Sequence, residues 1–151
     1  MRGREAVKKL LALSESGDEG LRRAARFALA NIGDPAAAAA LSKVRVDATF
    51  RERSEAPAIY LLFARRLTES GKTSEGLAAA RAVLESRGGS TEGHVASEAL
   101  TLIVSALGDK ALPDLLRAAD SPSPDLRGAA LEMAASLGGD KATAQWLVKA
   151  A

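Results

Sequence analysis

An all-α fold of stacked helical hairpins, an α-solenoid, is what this chain predicts, on three observations: one phrase occurs twice, its apolar residues recur at helical spacing, and the breaks between segments have helix-to-helix turn chemistry. The first copy of the phrase is Leu21-Arg22-Arg23-Ala24-Ala25-Arg26-Phe27-Ala28-Leu29-Ala30-Asn31-Ile32-Gly33-Asp34. The second runs Leu126-Arg127-Gly128-Ala129-Ala130 to Leu137-Gly138, then Gly139-Asp140. In the second copy Leu126, Ala129, Ala130, Met133, Ala134 and Leu137 fall at i, i+3, i+4, i+7, i+8, i+11. That is one stripe of a 3.6-residue helix, and Leu21, Ala24, Ala25, Ala28, Leu29 and Ile32 match it. Strands would need alternation at period two with β-branched enrichment, and no long segment has it.

The elements follow in order. A leading helix is expected over 4–15. Pair one is 19–32 and 35–46, joined by Gly33-Asp34-Pro35: a helix stop, an N-cap and a proline at the first helical position. Pair two is 55–69 and 74–86, turning at Gly71 with Thr73 and Ser74 behind it. If Ser54 caps, Pro57 falls in the first turn and breaks nothing. Pair three is 92–107 and 110–119, turning at Gly108-Asp109. Pair four is 124–137 and 141–150, opened by Ser121-Pro122-Ser123-Pro124-Asp125. The turn glycines Gly33, Gly71, Gly108 and Gly139 stand 38, 37 and 31 residues apart, within the range of helical repeats. Asp47 to Arg53 is the one irregular stretch.

With 151 residues the chain fits one repeat domain, 1–151, with enough length to bury a core. Aromatics are 3% and the apolar content is mostly Ala and Leu, so helices must approach closely. There is no cysteine, which excludes disulfides, thiolate metal sites and cysteine nucleophiles together. The apolar run Leu10 to Leu13 is too short for a signal-peptide core, and nothing approaches the roughly 20 apolar residues of a membrane span. A cytoplasmic location is the resulting expectation, with no membrane partner.

Leu-Arg-x-Ala-Ala-x-x-x-Ala-x-x-x-Gly, followed by Asp-Pro or Gly-Asp-Lys, resembles the HEAT-repeat family, especially its short bacterial HEAT-like branch. The residues that carry the likeness are Leu21, Arg22, Ala24, Ala25, Gly33, Asp34 and Pro35, then Asp125, Leu126, Arg127, Ala129, Ala130, Leu137, Gly138 and Asp140. Ala96, Ala99, Leu107, Gly108 and Asp109 echo it without the Leu-Arg, and Ser54 to Leu67 departs most. The resemblance implies a right-handed superhelix whose second helices line a concave, partner-binding surface. It also implies that Arg22, Arg127, Asp34, Asp109 and Asp140 are structural repeat positions.

Catalytic and metal readings find little support. His94 is the only histidine and is expected at an exposed helix start, with Glu98 as its i+4 neighbour. One histidine without cysteine cannot close a nitrogen/sulfur metal shell. Asp18-Glu19 opens a helix, where negative charge suits the dipole. Gly88-Gly89-Ser90 lacks the Gly-Lys-Ser/Thr of a phosphate-binding loop. Trp146 is expected to cover the end of the core. No cofactor and no enzymatic activity are expected.

Charge is distributed unevenly. The leading helix and the four second helices, that of pair two counted through Arg87, sum to +6, while the whole chain is +2, leaving −4 for the rest. A basic concave face would suit an acidic protein surface, and secondarily a phosphate backbone. The expected contacts there are Lys43, Arg45, Arg81, Arg117 and Lys149. A second cluster, Phe50, Arg51 and Arg53, with Arg65 and Arg66 beyond, lies where the pattern breaks; Tyr60 and Phe63 belong to an apolar run, Ala58 to Ala64, expected in the core. The expected function is a non-catalytic protein-interaction scaffold. Nucleic-acid binding is the alternative, and a lyase or glycosylase activity of the kind some HEAT-like relatives have is a third. A leading helix without its pair, and a last helix ending Leu147-Val148-Lys149-Ala150-Ala151 without a polar cap, would also permit end-to-end self-association.

Overall fold

The computed structural model describes residues 2–44, 46–87, 93–137 and 144. Among them every regular element is helical: α1 (Arg2–Leu13), α2 (Glu19–Ile32), α3 (Ala38–Ser42), α4 (Phe50–Glu69), α5 (Thr73–Arg87), α6 (Gly93–Leu107), α7 (Leu112–Ala119) and α8 (Pro124–Ser136). Short 3-10 turns, Pro35–Ala37 and Gly108–Ala111, lead into α3 and α7. The expected helix 141–150, apart from residue 144, lies outside the described residues, as do Arg45, Gly88 to Ser90, Gly138 to Asp140, Trp146 and Lys149.

The chain divides into two compact units, Met1–Ala79 and Ala80–Ala151, with the boundary inside α5. In the first unit α2 packs against α1 and α4, and α3 against α4. Its core holds Leu29, Ala30, Leu41, Leu61, Phe63, Ala64 and Leu67, none more than 3% exposed. In the second unit α8 packs against α6 and α7, around Ala96, Leu100, Ile103, Leu115, Leu126 and Ala130.

The repeated phrase has the same hydrogen bonds in both units. Asp18 Oδ1 accepts from the Leu21 amide at 2.8 Å, and Arg22 Nη1 donates to the carbonyls of Ser16 and Gly17, both at 2.9 Å. In the second copy Ser123 Oγ accepts from the Leu126 amide at 3.4 Å, and Arg127 Nη1 donates to the carbonyls of Ser121 and Pro122 at 2.7 and 3.0 Å. A polar cap, a leucine three residues on and an arginine after it form one device. The cap satisfies an orphan amide, and the arginine ties the preceding loop to its own helix.

Helix ends follow turn chemistry. Gly33 at φ 63° closes α2, and its amide reaches the Leu29 carbonyl; Gly71 and Gly108 are also left-handed. Asp34 then caps the Pro35 turn. Two helices differ from expectation. The second helix of pair one stops at Ser42, because the Arg26 guanidinium donates to the Ala40 and Leu41 carbonyls at 2.8 and 3.0 Å and Lys43 turns extended. And α4 starts at Phe50, because Thr49 and Glu52 form a reciprocal capping box. Pro57 therefore lies inside α4, buried, rather than in its first turn.

Close approach of α5 to α4 depends on Gly76. A Cβ there would meet the Thr68 hydroxyl and lie 2.7 Å from the Ala64 carbonyl oxygen. Alanine would gain about 1 kcal/mol of helix propensity but cannot displace backbone. Gly76→Ala is therefore expected to destabilise by about 1–2 kcal/mol net in urea unfolding. A neutral or stabilising result would mean that the two helices separate freely.

Candidate interaction surface

Three exposed large apolar side chains, Val44, Val46 and Phe50, stand between the end of α3 and the first turn of α4, and the way α4 is anchored accounts for the last of them. Glu52 is the inward residue of the first turn. Its Oε1 accepts from Arg22 Nε at 2.7 Å and its Oε2 from Arg22 Nη2 at 3.0 Å, both side chains being 7% exposed. The same carboxylate accepts from the Thr49 amide at 2.9 Å. These donors, the Arg22 hydrogen bonds foremost, hold its pKa down at about 2 against the opposing cost of burial.

With Glu52 fixed inward, helical geometry turns Phe50, Arg51 and Arg53 outward. Phe50 is 81% exposed, Val46 fully exposed and Val44 39% exposed. Ala48, at 6%, pins the connection beneath them. Lys43 and Arg53 are exposed and make no ion pair with a described residue. Arg51 Nε donates to Glu55 Oε1 at 3.0 Å, and Arg23 holds the same carboxylate in a fork at 2.7 and 2.8 Å. Asp47 is also exposed here, so the corner carries Lys43, Arg51 and Arg53 against Asp47 and a Glu55 already shared by two guanidiniums. The positive end of the α4 dipole adds to the cationic side.

Clefts accompany the helix contacts in each unit. In the first unit a cleft of about 570 Å³ runs between α2 and α4, over Ala24, Phe27, Ala58, Ile59 and Leu62, with the Arg23–Glu55 pair at its end. In the second a cleft of about 270 Å³ lies among Leu84, Pro122 and Leu126, with Arg81, Glu85 and Arg117 at its rim.

The expected contact residues fare differently. Lys43, Phe50, Arg51 and Arg53 are all exposed in the first unit. Arg81 is engaged: its Nε and Nη2 hold the buried Asp114 carboxylate, the shortest contact being 2.7 Å, which raises the guanidinium pKa. Arg117 is exposed, 3.8 Å from Glu85. Arg65 is exposed, and Arg66 pairs with Glu69 at 2.8 Å. Arg45 and Lys149 lie outside the described residues. His94 is exposed on the first turn of α6, and Phe63 is fully buried while stacking on Tyr60 at 5.8 Å. Among the described residues no group of three or more His, Asp or Glu could hold a metal ion.

The α2 stripe turned out differently. Leu21 and Ile32 are 49% and 47% exposed, and Phe27 57%, whereas Arg22, Ala25, Arg26, Leu29 and Ala30 are buried. The inward face is set by the positions of α1, α3 and α4, and both arginines are tolerated there because carbonyls and Glu52 satisfy them. The Thr49-x-x-Glu52 spacing is the sequence signal that would have found this anchor.

No family model and no curated protein matches the chain. None of the described helices is long and apolar enough to cross a membrane.

Proposed function

We propose that this chain is a non-catalytic protein-interaction scaffold, built of HEAT-like hairpins in a right-handed superhelix, that captures a partner bearing an acidic and apolar surface. The cap, leucine and arginine device shared by α2 and α8 supports the repeat reading. The observation that carries the binding reading is Phe50, 81% exposed and held outward by the Glu52 anchor, in a segment where Lys43 and Arg53 are also exposed and make no ion pair with a described residue. An exposed aromatic amid cations has the composition of an interface anchor. Arg45, Arg117 and Lys149 remain contacts nominated by the sequence, and Arg81 would contribute less, its fork being bound to Asp114.

Affinity capture from the native organism tests this with the double variant Phe50→Ala/Arg53→Glu. Capture of the partner is expected to fall at least tenfold while the unfolding midpoint stays unchanged, both side chains being exposed. Undiminished capture would overturn the assignment. Charge reversal at Lys43, Arg45 and Arg117 then asks whether these cations take part.

The same corner favours a second reading, since an exposed phenyl ring beside guanidiniums is also how single-stranded nucleic acid is gripped. Binding to a single-stranded oligonucleotide whose log affinity falls linearly with log salt, and which Phe50→Ala weakens, would establish it instead.

A further inference from the structure

The charged groups of the two clefts are in different states. In the first cleft they form a closed set: Arg23 is forked on Glu55, and the same carboxylate also accepts from Arg51. The second cleft lies wholly within the second unit, and every residue lining it is among those described. Its floor is apolar, with Leu84 of α5, Ala118 of α7 and Leu126 of α8 at 7%, 4% and 1% exposure. At its rim stand Arg81 and Glu85 of α5 and Arg117 of α7.

These rim groups keep binding capacity. Arg81 gives Nε and Nη2 to Asp114, whose carboxylate is 5% exposed and does not line the cleft. Its Nη1 makes no hydrogen bond with a described residue, although the side chain is 40% exposed. Arg117 comes no nearer to Glu85 than 3.8 Å, beyond hydrogen-bond reach, and the two side chains are 66% and 67% exposed. A pair so loose and so wet contributes little and opens readily.

The cleft thus offers two guanidinium donors and one carboxylate acceptor around an apolar floor. The complementary set is a carboxylate, an N–H group and an apolar side chain on neighbouring atoms, which is the last residue of a polypeptide. Asp114 already fixes the Arg81 fork, so holding it on a ligand costs little further side-chain entropy. The volume of about 270 Å³ lies below the roughly 300–1,000 Å³ of small-molecule sites and suits a single aliphatic side chain. A free amino acid would bring an ammonium charge to a rim too wet to reward it, whereas a peptide amide brings none.

We propose that this cleft captures the C-terminal carboxylate of a partner polypeptide whose last residue is aliphatic. Arg117 and Nη1 of Arg81 hold the carboxylate, Glu85 accepts from the last amide, and the side chain enters over Leu84, Ala118 and Leu126. This names a recognition element that the scaffold reading leaves open. It lies in the other unit from the Phe50 corner, so either can fail while the other stands.

The probe is acetyl-Gly-Ser-Gly-Ser-Leu with a free C terminus, titrated into the isotope-labelled full chain and followed by amide NMR shifts. Saturable shifts are expected in α5 from Arg81 onward, in α7 and at the start of α8. The same peptide ending in a C-terminal amide should bind about tenfold more weakly, a charged hydrogen-bond acceptor having been removed. A peptide ending in Gly should lose roughly as much, its apolar side chain being absent. Arg117→Gln should also weaken binding about tenfold and leave the unfolding midpoint unchanged, because the side chain is exposed. No shifts at these helices, equal binding of the amide, or equal binding by Arg117→Gln would each overturn the proposal. Free leucine binding as tightly as the peptide would overturn it too, the ligand then being an amino acid.

Discussion

Glu52→Gln is expected to destabilise the protein by about 3 kcal/mol, since removing one partner of a buried pair leaves the other charge uncompensated. Arg22 is 6% exposed and would keep its two loop carbonyls, but its Nε and Nη2 would face a neutral amide that also carries donors. The Thr49 cap of α4 would lose its reciprocal carboxylate as well. Urea unfolding at neutral pH measures the loss, and a change below 1 kcal/mol would mean that the pair is solvated in solution. Replacing both partners, Arg22→Met with Glu52→Leu, should recover much of it, because an apolar pair requires no buried charge.

The same anchor sets a pH dependence. Glu52 titrates at about 2 in the folded chain and in the ordinary carboxylate range once unfolded. A folded pKa held low means that the stabilisation is complete above the unfolded value and drains away as pH falls from about 5 toward 2. Glu55, lowered chiefly by its hydrogen bonds from Arg23, acts in the same direction. Melting at a series of pH values should show the wild-type midpoint dropping through this window. The drop should be smaller in Glu52→Gln, which has no carboxylate to protonate; equal slopes would contradict the assignment.

Phe63→Ala is expected to cost 3–5 kcal/mol, about the range for deleting a fully buried phenyl ring. Phe63 is 0% exposed in an Ala- and Leu-rich interior, where small neighbours have little side chain with which to refill the space. Its stacking on Tyr60 would go too. Phe50→Ala, by contrast, should change stability by less than about 0.5 kcal/mol, an exposed substitution. Chemical denaturation of both variants gives the contrast directly. A large loss from Phe50→Ala would show that its ring packs against the fold and is no free contact.

That contrast also shows how far the sequence could be read. Phe63 within an unbroken apolar run and Phe50 beside arginines already differ in their neighbours along the chain, and the structure separates them in the same sense. The bounds of α2 were legible because Asp18 and Gly33 are local signals that act within one turn of backbone. The letters Thr49 and Glu52 carry a capping box that starts α4 at Phe50, five residues before the expected start at 55, and puts Pro57 inside the helix.

Other features depended on neighbours far along the chain. Nothing local says that Arg22 and Arg26 turn inward while Leu21 and Ile32 face water, because an amphipathic stripe names an apolar face without saying which edge a distant helix will cover. Glu52 lies 30 residues from Arg22, and Asp114 33 residues from Arg81, so these ion pairs exist only once the helices are packed. They decide which cations are engaged and which stay available. Helix type, caps and turns arise from interactions a few residues apart and can be read in one dimension. The inward face of each helix and the partner of each charge arise from packing, where desolvation rather than propensity sets the outcome.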